Sequence, residues 1–126
     1  MRNAMSVLVS FGAILGFFAI ATAQQDVLVV DPAHHKLEFE NNCVRVVRAN
    51  FGPGEKAAAL FDAKDVVIVN LTGSEGFKLT FPDGKSITTP RNQPGQVYWA
   101  PGGRIQPENI GSARVEFIVI EPKGCN

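Results

Sequence analysis

The 126-residue chain has few of the side chains that usually carry chemistry: two histidines, two cysteines, two methionines, one tyrosine and one tryptophan. It also lacks an excess of either charge, with 12 Lys and Arg set against 12 Asp and Glu. Without a basic cluster there is no electrostatic footprint for a nucleic acid or an anionic lipid surface, so neither is an expected partner. The histidines, His34 and His35, are adjacent. Adjacent side chains in an extended segment leave on opposite sides, so the pair is not expected to chelate one ion, and a solvated polar turn accounts for it. The cysteines, Cys43 and Cys125, have no close C-x-x-C spacing, which argues against a zinc site. Helical periodicity is absent beyond residue 23, which excludes a helical bundle.

What is present begins with an address. Arg2 precedes an apolar run from Met5 to Ile20, and Ala21-Thr22-Ala23 forms an A-x-A-like cleavage site. This is the pattern of a secretory signal peptide over residues 1–23, so export to a periplasmic or extracellular location is expected. An uncleaved membrane anchor is the alternative, because the run from Met5 to Ala23 is nearly long enough to cross a bilayer. After cleavage no membrane contact is expected. Removing 23 residues from 126 leaves 103, and the loss of Arg2 turns a formal charge of 0 into −1. Residues 24–126 then suffice for a single domain with one modest core. In an exported chain the isolated pair Cys43 and Cys125 reads as one disulfide, whereas in a reducing compartment it would be two free thiols.

The mature part reads as a succession of short strands. Val27 to Val30, ended by Asp31-Pro32, is expected to be a buried strand. Leu37 to Glu40 alternates, with Leu37 and Phe39 expected to face inward, and Val44 to Phe51 is rich in β-branched residues. Strands are also expected over Ala57 to Phe61, Val66 to Leu71, Phe77 to Phe81, Ser86 to Thr89, Gln96 to Ala100, Ile105 to Asn109 and Val115 to Glu121. The Asp83-Gly84 pair marks a hairpin, and one of Tyr98 and Trp99 must face the interior. Asn70-Leu71-Thr72 is a glycosylation sequon whose mid-strand position argues against its use. About nine short strands at this spacing predict an all-β barrel or sandwich.

Two stretches carry a resemblance. Gly54 to Gly73, GEKAAALFDAKDVVIVNLTG, and Gly95 to Gly111, GQVYWAPGGRIQPENIG, resemble the two signature motifs of the cupin superfamily. The first motif runs Gly, five residues, His-x-His, three or four residues, Glu, six residues, Gly. On this chain the His positions fall on Leu60 and Asp62, the Glu position on Val66 and the last Gly on Gly73. In the second motif Gly95, Pro101, Gly103 and Asn109 fit, and the His falls on Ile105 or Gln106. The run FENNCVRVVRANFGPGEK from Phe39 is similar to the opening of small single-domain bacterial cupins. The resemblance implies a small cupin-type barrel, the double-stranded β-helix or jelly roll, behind the signal peptide.

The resemblance also implies what is missing. Most cupin enzymes hold a metal on three His and one Glu, and Leu, Asp, Val and Ile or Gln stand at those places here. No metal or other cofactor is therefore expected. The inward-facing candidates for a ligand pocket are Leu60, Asp62, Val66, Ile68, Tyr98, Ile105 and Gln106, a set that predicts a small apolar or mixed ligand, or a structural role with the interior filled. A second class of function is a metal-free acid–base isomerase. There, an Asp62 facing an apolar interior would favour its neutral form and act with Tyr98, or with Glu108, as metal-free cupin epimerases do with a histidine and a tyrosine. A third is an interaction module, with homodimerisation through an edge strand or barrel face.

Overall fold

The computed structural model describes residues 25–125 together with Gly12, and the expected signal segment, Gly12 apart, lies outside the described residues. The β-branched runs form nine strands among them: β1 His35–Glu40, β2 Val44–Phe51, β3 Phe61–Ala63, β4 Val66–Asn70, β5 Phe77–Thr80, β6 Ser86–Thr88, β7 Val97–Ala100, β8 Gly103–Asn109 and β9 Val115–Pro122. They pair antiparallel into a five-stranded sheet, β1-β2-β9-β4-β7, and a four-stranded sheet, β3-β8-β5-β6. Period-2 alternation decides which side chains lie between the sheets. Val47, Ala49 and Phe51 are buried on β2, and Val66, Ile68 and Asn70 on β4. No helix among the described residues is long and apolar enough to cross a membrane.

Two glycines shape the connections that the motifs predict. Gly84, at φ +83°, closes the β5–β6 hairpin by donating to Phe81 O at 2.9 Å, a backbone state that glycine adopts without strain. Gly102 passes so close to the chain that a Cβ would stand 2.7 Å from Ala63 O, so this position of the Pro101-Gly102-Gly103 turn has no room for a side chain.

One end of the space between the sheets is solid. Phe51 is fully buried, with Phe77 edge-on at 5.4 Å and the rings of Phe117 and His34 parallel to it at 6.5 and 4.4 Å. Truncating such a ring removes ~3–5 kcal/mol. Asn109, the motif asparagine, seals this floor. Its Nδ2 donates to Phe51 O, Gly52 O and Ala113 O at 3.1, 3.1 and 2.9 Å, while its Oδ1 accepts from Gly111 N.

The N-terminal side departs from the sequence expectation at three places. Val27–Val30 is not a strand but a single helical turn, α1, because Asp26 caps it: Oδ1 accepts from Leu28 N at 2.9 Å. Local capping overrides β propensity here, and Val27 and Val30 still pack against the core. Leu37 and Phe39 do not turn inward; both are exposed, since β1 is an edge strand whose register shifts between them. His34 and His35 are not solvated turn residues. The Asp31 carboxylate, fully buried, accepts from His34 Nδ1 at 2.9 Å, from His35 Nδ1 at 3.0 Å and from Ala58 N at 3.1 Å. His34 Nε2 reaches Glu55 Oε2 at 3.0 Å. The Gly52 N–H, first, and then His34 hold the Glu55 carboxyl below its usual range.

Burial pushes the His35 imidazole below its ordinary value of 6.5, with Asp31 opposing in part. The unfolded chain therefore takes up a proton that the folded one resists, and the stability that this contributes is present above pH 6.5 and is lost as pH falls through the folded value. At most ~1.4 kcal/mol is lost per pH unit in that window. The melting temperature should drop by several degrees between pH 7 and 5, and by less in His35→Gln, which cannot titrate. Parallel curves for the two proteins would contradict this assignment.

Cys43, just before β2, and Cys125, just after β9, are joined by a disulfide, with Cα atoms 4.6 Å apart and a sequence separation of 82. In the chain-entropy model closing such a loop is worth ~4–5 kcal/mol as an upper figure. Reduction, or the pair Cys43→Ser and Cys125→Ser, should lower stability in urea by about 2–4 kcal/mol. An unmoved midpoint would contradict the bridge's role.

Candidate functional site

Away from the Phe51 floor the two sheets do not close on each other, and a cavity of about 400 Å³ lies between them. Its walls follow from strand alternation. β4 contributes Val66 and Ile68, β9 Phe117 and Val119, β5 Phe77 and Leu79, and β8 Ile105 and Pro107. On β3 it is Phe61 and Ala63 that face inward, because Phe61 lies directly opposite Ile105 in the ladder. Ile87 and Trp99, both exposed, stand at the rim. A second depression, of about 380 Å³ and more open to solvent, is lined by Thr72, Glu75, Arg91 and Arg114 and is a charged surface groove.

Of the seven residues singled out in the sequence, Asp62, Val66, Ile68, Tyr98 and Ile105 border the cavity. Leu60 and Gln106 do not. The expected inward face of Leu60 and Asp62 is displaced by one residue: the stretch from Ala57 is not a continuous strand, β3 begins at Phe61, and Asp62 is left exposed on the opposite face. Gln106 turns away to donate from Nε2 to Ala57 O at 2.8 Å. Asp62 is exposed, so the apolar surroundings that the acid–base reading assigns to it are not present. Nor do the residues at the four metal positions suit an ion. Leu60, Val66 and Ile105 have no lone pair to offer, Gln106 is engaged, and among the described residues no group of three His, Cys, Asp or Glu converges.

Few polar groups reach the cavity, and most are engaged. Asn70 donates to Gln96 O at 3.1 Å, which also buries the sequon asparagine. Thr89 Oγ1 accepts from Phe77 N at 2.8 Å. Arg45 is held by Asp26 at 2.7 Å and by Glu121 at 2.9 Å, so its charge is matched within the protein. Burial pushes the Tyr98 phenol up, partly offset by Asn92, so it remains a neutral hydroxyl at physiological pH.

The sequence reading missed His35. Its ring forms part of the cavity wall, edge-on to Phe61 at 5.6 Å, and its side chain is 5% exposed. Nδ1 faces an Asp31 carboxylate oxygen, which can only accept, so Nδ1 carries the hydrogen. Nε2 then presents a lone pair, has no partner among the described residues and is not sealed off. The available signal was the spacing of Asp31 and His35, one helical turn apart, and a strand reading of Val27 to Val30 hid it.

No protein-family model matches the chain, and no curated protein matches it. Solved structures do. A cupin domain from Bordetella pertussis Tohama I is 26% identical, with a TM-score of 0.62 over 71% of this chain and 92% of that one. An RmlC-like cupin family protein with a double-stranded β-helix fold from Methanocaldococcus jannaschii is 18% identical, with a TM-score of 0.53 over 71% and 78%. An uncharacterised protein with a double-stranded β-helix domain from Klebsiella pneumoniae is 16% identical, with a TM-score of 0.50 over 73% and 78%. Two antiparallel sheets folded around an interior cavity, the two glycine-framed motifs and these structural matches lead to one conclusion: the chain belongs to the cupin superfamily and has its double-stranded β-helix fold.

Proposed function

We propose that this protein is an exported cupin that binds a small, largely apolar molecule between its sheets without a catalytic metal. The observation that carries the reading is the cavity of about 400 Å³, whose size is within the ~300–1,000 Å³ of small-molecule sites and whose walls are mainly aliphatic and aromatic. The residues at the former metal positions support it, because Val66 and Ile105 extend the apolar lining where a metal cupin has ligands. Export is supported by the signal-like segment over residues 1–23 and by the Cys43–Cys125 disulfide, a bond at home in oxidising compartments.

An acid–base enzyme is the second reading, and what favours it is His35 with Asp31 behind it rather than Asp62. A homodimer is also consistent with exposed Val97 and Trp99 on β7, an edge strand of the larger sheet.

Titration with a neutral fluorescent naphthylamine should give a saturable one-to-one isotherm with Kd on the order of 10 μM or tighter, about 7 kcal/mol. Filling the cavity with Ile68→Trp, or more gently with Ala100→Leu, should weaken binding at least tenfold while the far-ultraviolet circular dichroism stays unchanged. A folded wild-type protein that shows no saturable binding would refute the reading.

A further inference from the structure

We propose that the occupant of this cavity is an uncharged, ring-sized molecule with an acidic hydroxyl, of the phenol or enol class, and that the hydroxyl donates its hydrogen bond to His35 Nε2. The inference rests on the small-ligand reading above and narrows its chemistry.

The cavity wall leaves His35 Nε2 without a partner among the described residues. A buried acceptor without a donor is destabilising by ~1–3 kcal/mol, so an occupant that expels water from the cavity must supply a donor to Nε2 or forfeit that amount. Asp31 fixes the ring with its hydrogen on Nδ1, at 3.0 Å from Oδ2, so Nε2 can accept and cannot donate. A carboxylate or phosphate placed there would set lone pair against lone pair. Among the described residues no cation inside the cavity is free to receive an anion either, because Arg45 is already paired with Asp26 and Glu121. Lys64 borders the cavity but is exposed, so an anionic head group could be met only in solvent, at the mouth. The body of the ligand is set by Phe61, edge-on to His35, and by the other aromatic walls, which suit the face of a flat ring. An acidic hydroxyl makes the stronger hydrogen bond to an imidazole whose far side faces a carboxylate.

The test compares three probes by titration calorimetry at pH 7.5 on protein purified from an exporting host: naphthalene, 2-naphthol and decanoate. The expected result is that 2-naphthol binds at least tenfold more tightly than naphthalene, and that the gap falls below about twofold in His35→Phe. Should that variant fail to fold, the wild-type protein still decides. The ¹⁵N resonance of His35 Nε2 should shift on adding 2-naphthol and not on adding naphthalene. Equal affinity for naphthalene and 2-naphthol, or tighter binding of decanoate, would overturn this inference and leave the small-ligand reading standing. Failure of all three probes would overturn both.

Discussion

A buried carboxylate is unfavourable unless donors surround it, and at Asp31 the requirement for donors organises the whole N-terminal side of the molecule. Its two oxygens hold the rings of His34 and His35, at the start of β1, and the backbone of Ala58, ahead of β3. The edges of both sheets are thereby tied to the residue that ends α1. Removing the carboxylate would leave the buried His35 Nδ1 without its side-chain acceptor, at ~1–3 kcal/mol, and would release the part-buried bonds from His34 and Ala58. The same contacts set the chemistry of the cavity: with Nδ1 held by Asp31, the His35 ring offers the cavity an acceptor.

The remainder of the interior depends on the absence of ligands at the metal positions. Polar ligands inside an apolar shell are unfavourable unless an ion or hydrogen bonds satisfy them. Aliphatic side chains at two of those places, Val66 and Ile105, remove the need for one and let the lining become continuous with Ile68, Phe61 and Phe117. Packing at the Phe51 end, with Asn109 sealing the floor, gives this protein a core of apolar contacts and hydrogen bonds.

The β architecture was legible because its signals are local and strong. The continuous β-branched run of β4, the alternation of β9 and the Asp83-Gly84 hairpin each specify a strand or a turn from a few adjacent residues. Once the motif resemblance places Val66 inward, period-2 alternation puts Ile68 and Asn70 on the same face, and all three are buried. The failures arose where non-local or capping contacts decide. The cap from Asp26 turns Val27–Val30 into helix, the edge position of β1 leaves Leu37 and Phe39 in solvent, and the pairing of Phe61 with Ile105 moves the inward face of β3 off Leu60 and Asp62. His35 illustrates the same limit. Two adjacent histidines in a polar stretch resemble surface residues until the fold buries a carboxylate beside them.

The state of one imidazole tests this account most directly. The ¹⁵N shifts of the two His35 ring nitrogens in the ligand-free protein at pH 7 report where the proton resides. The account predicts a neutral ring protonated on Nδ1, with Nε2 showing the signature of a bare acceptor. A ring protonated on Nε2, or on both nitrogens, would contradict it, since Asp31 would then not be fixing the tautomer and the cavity would present a donor where an acceptor is required.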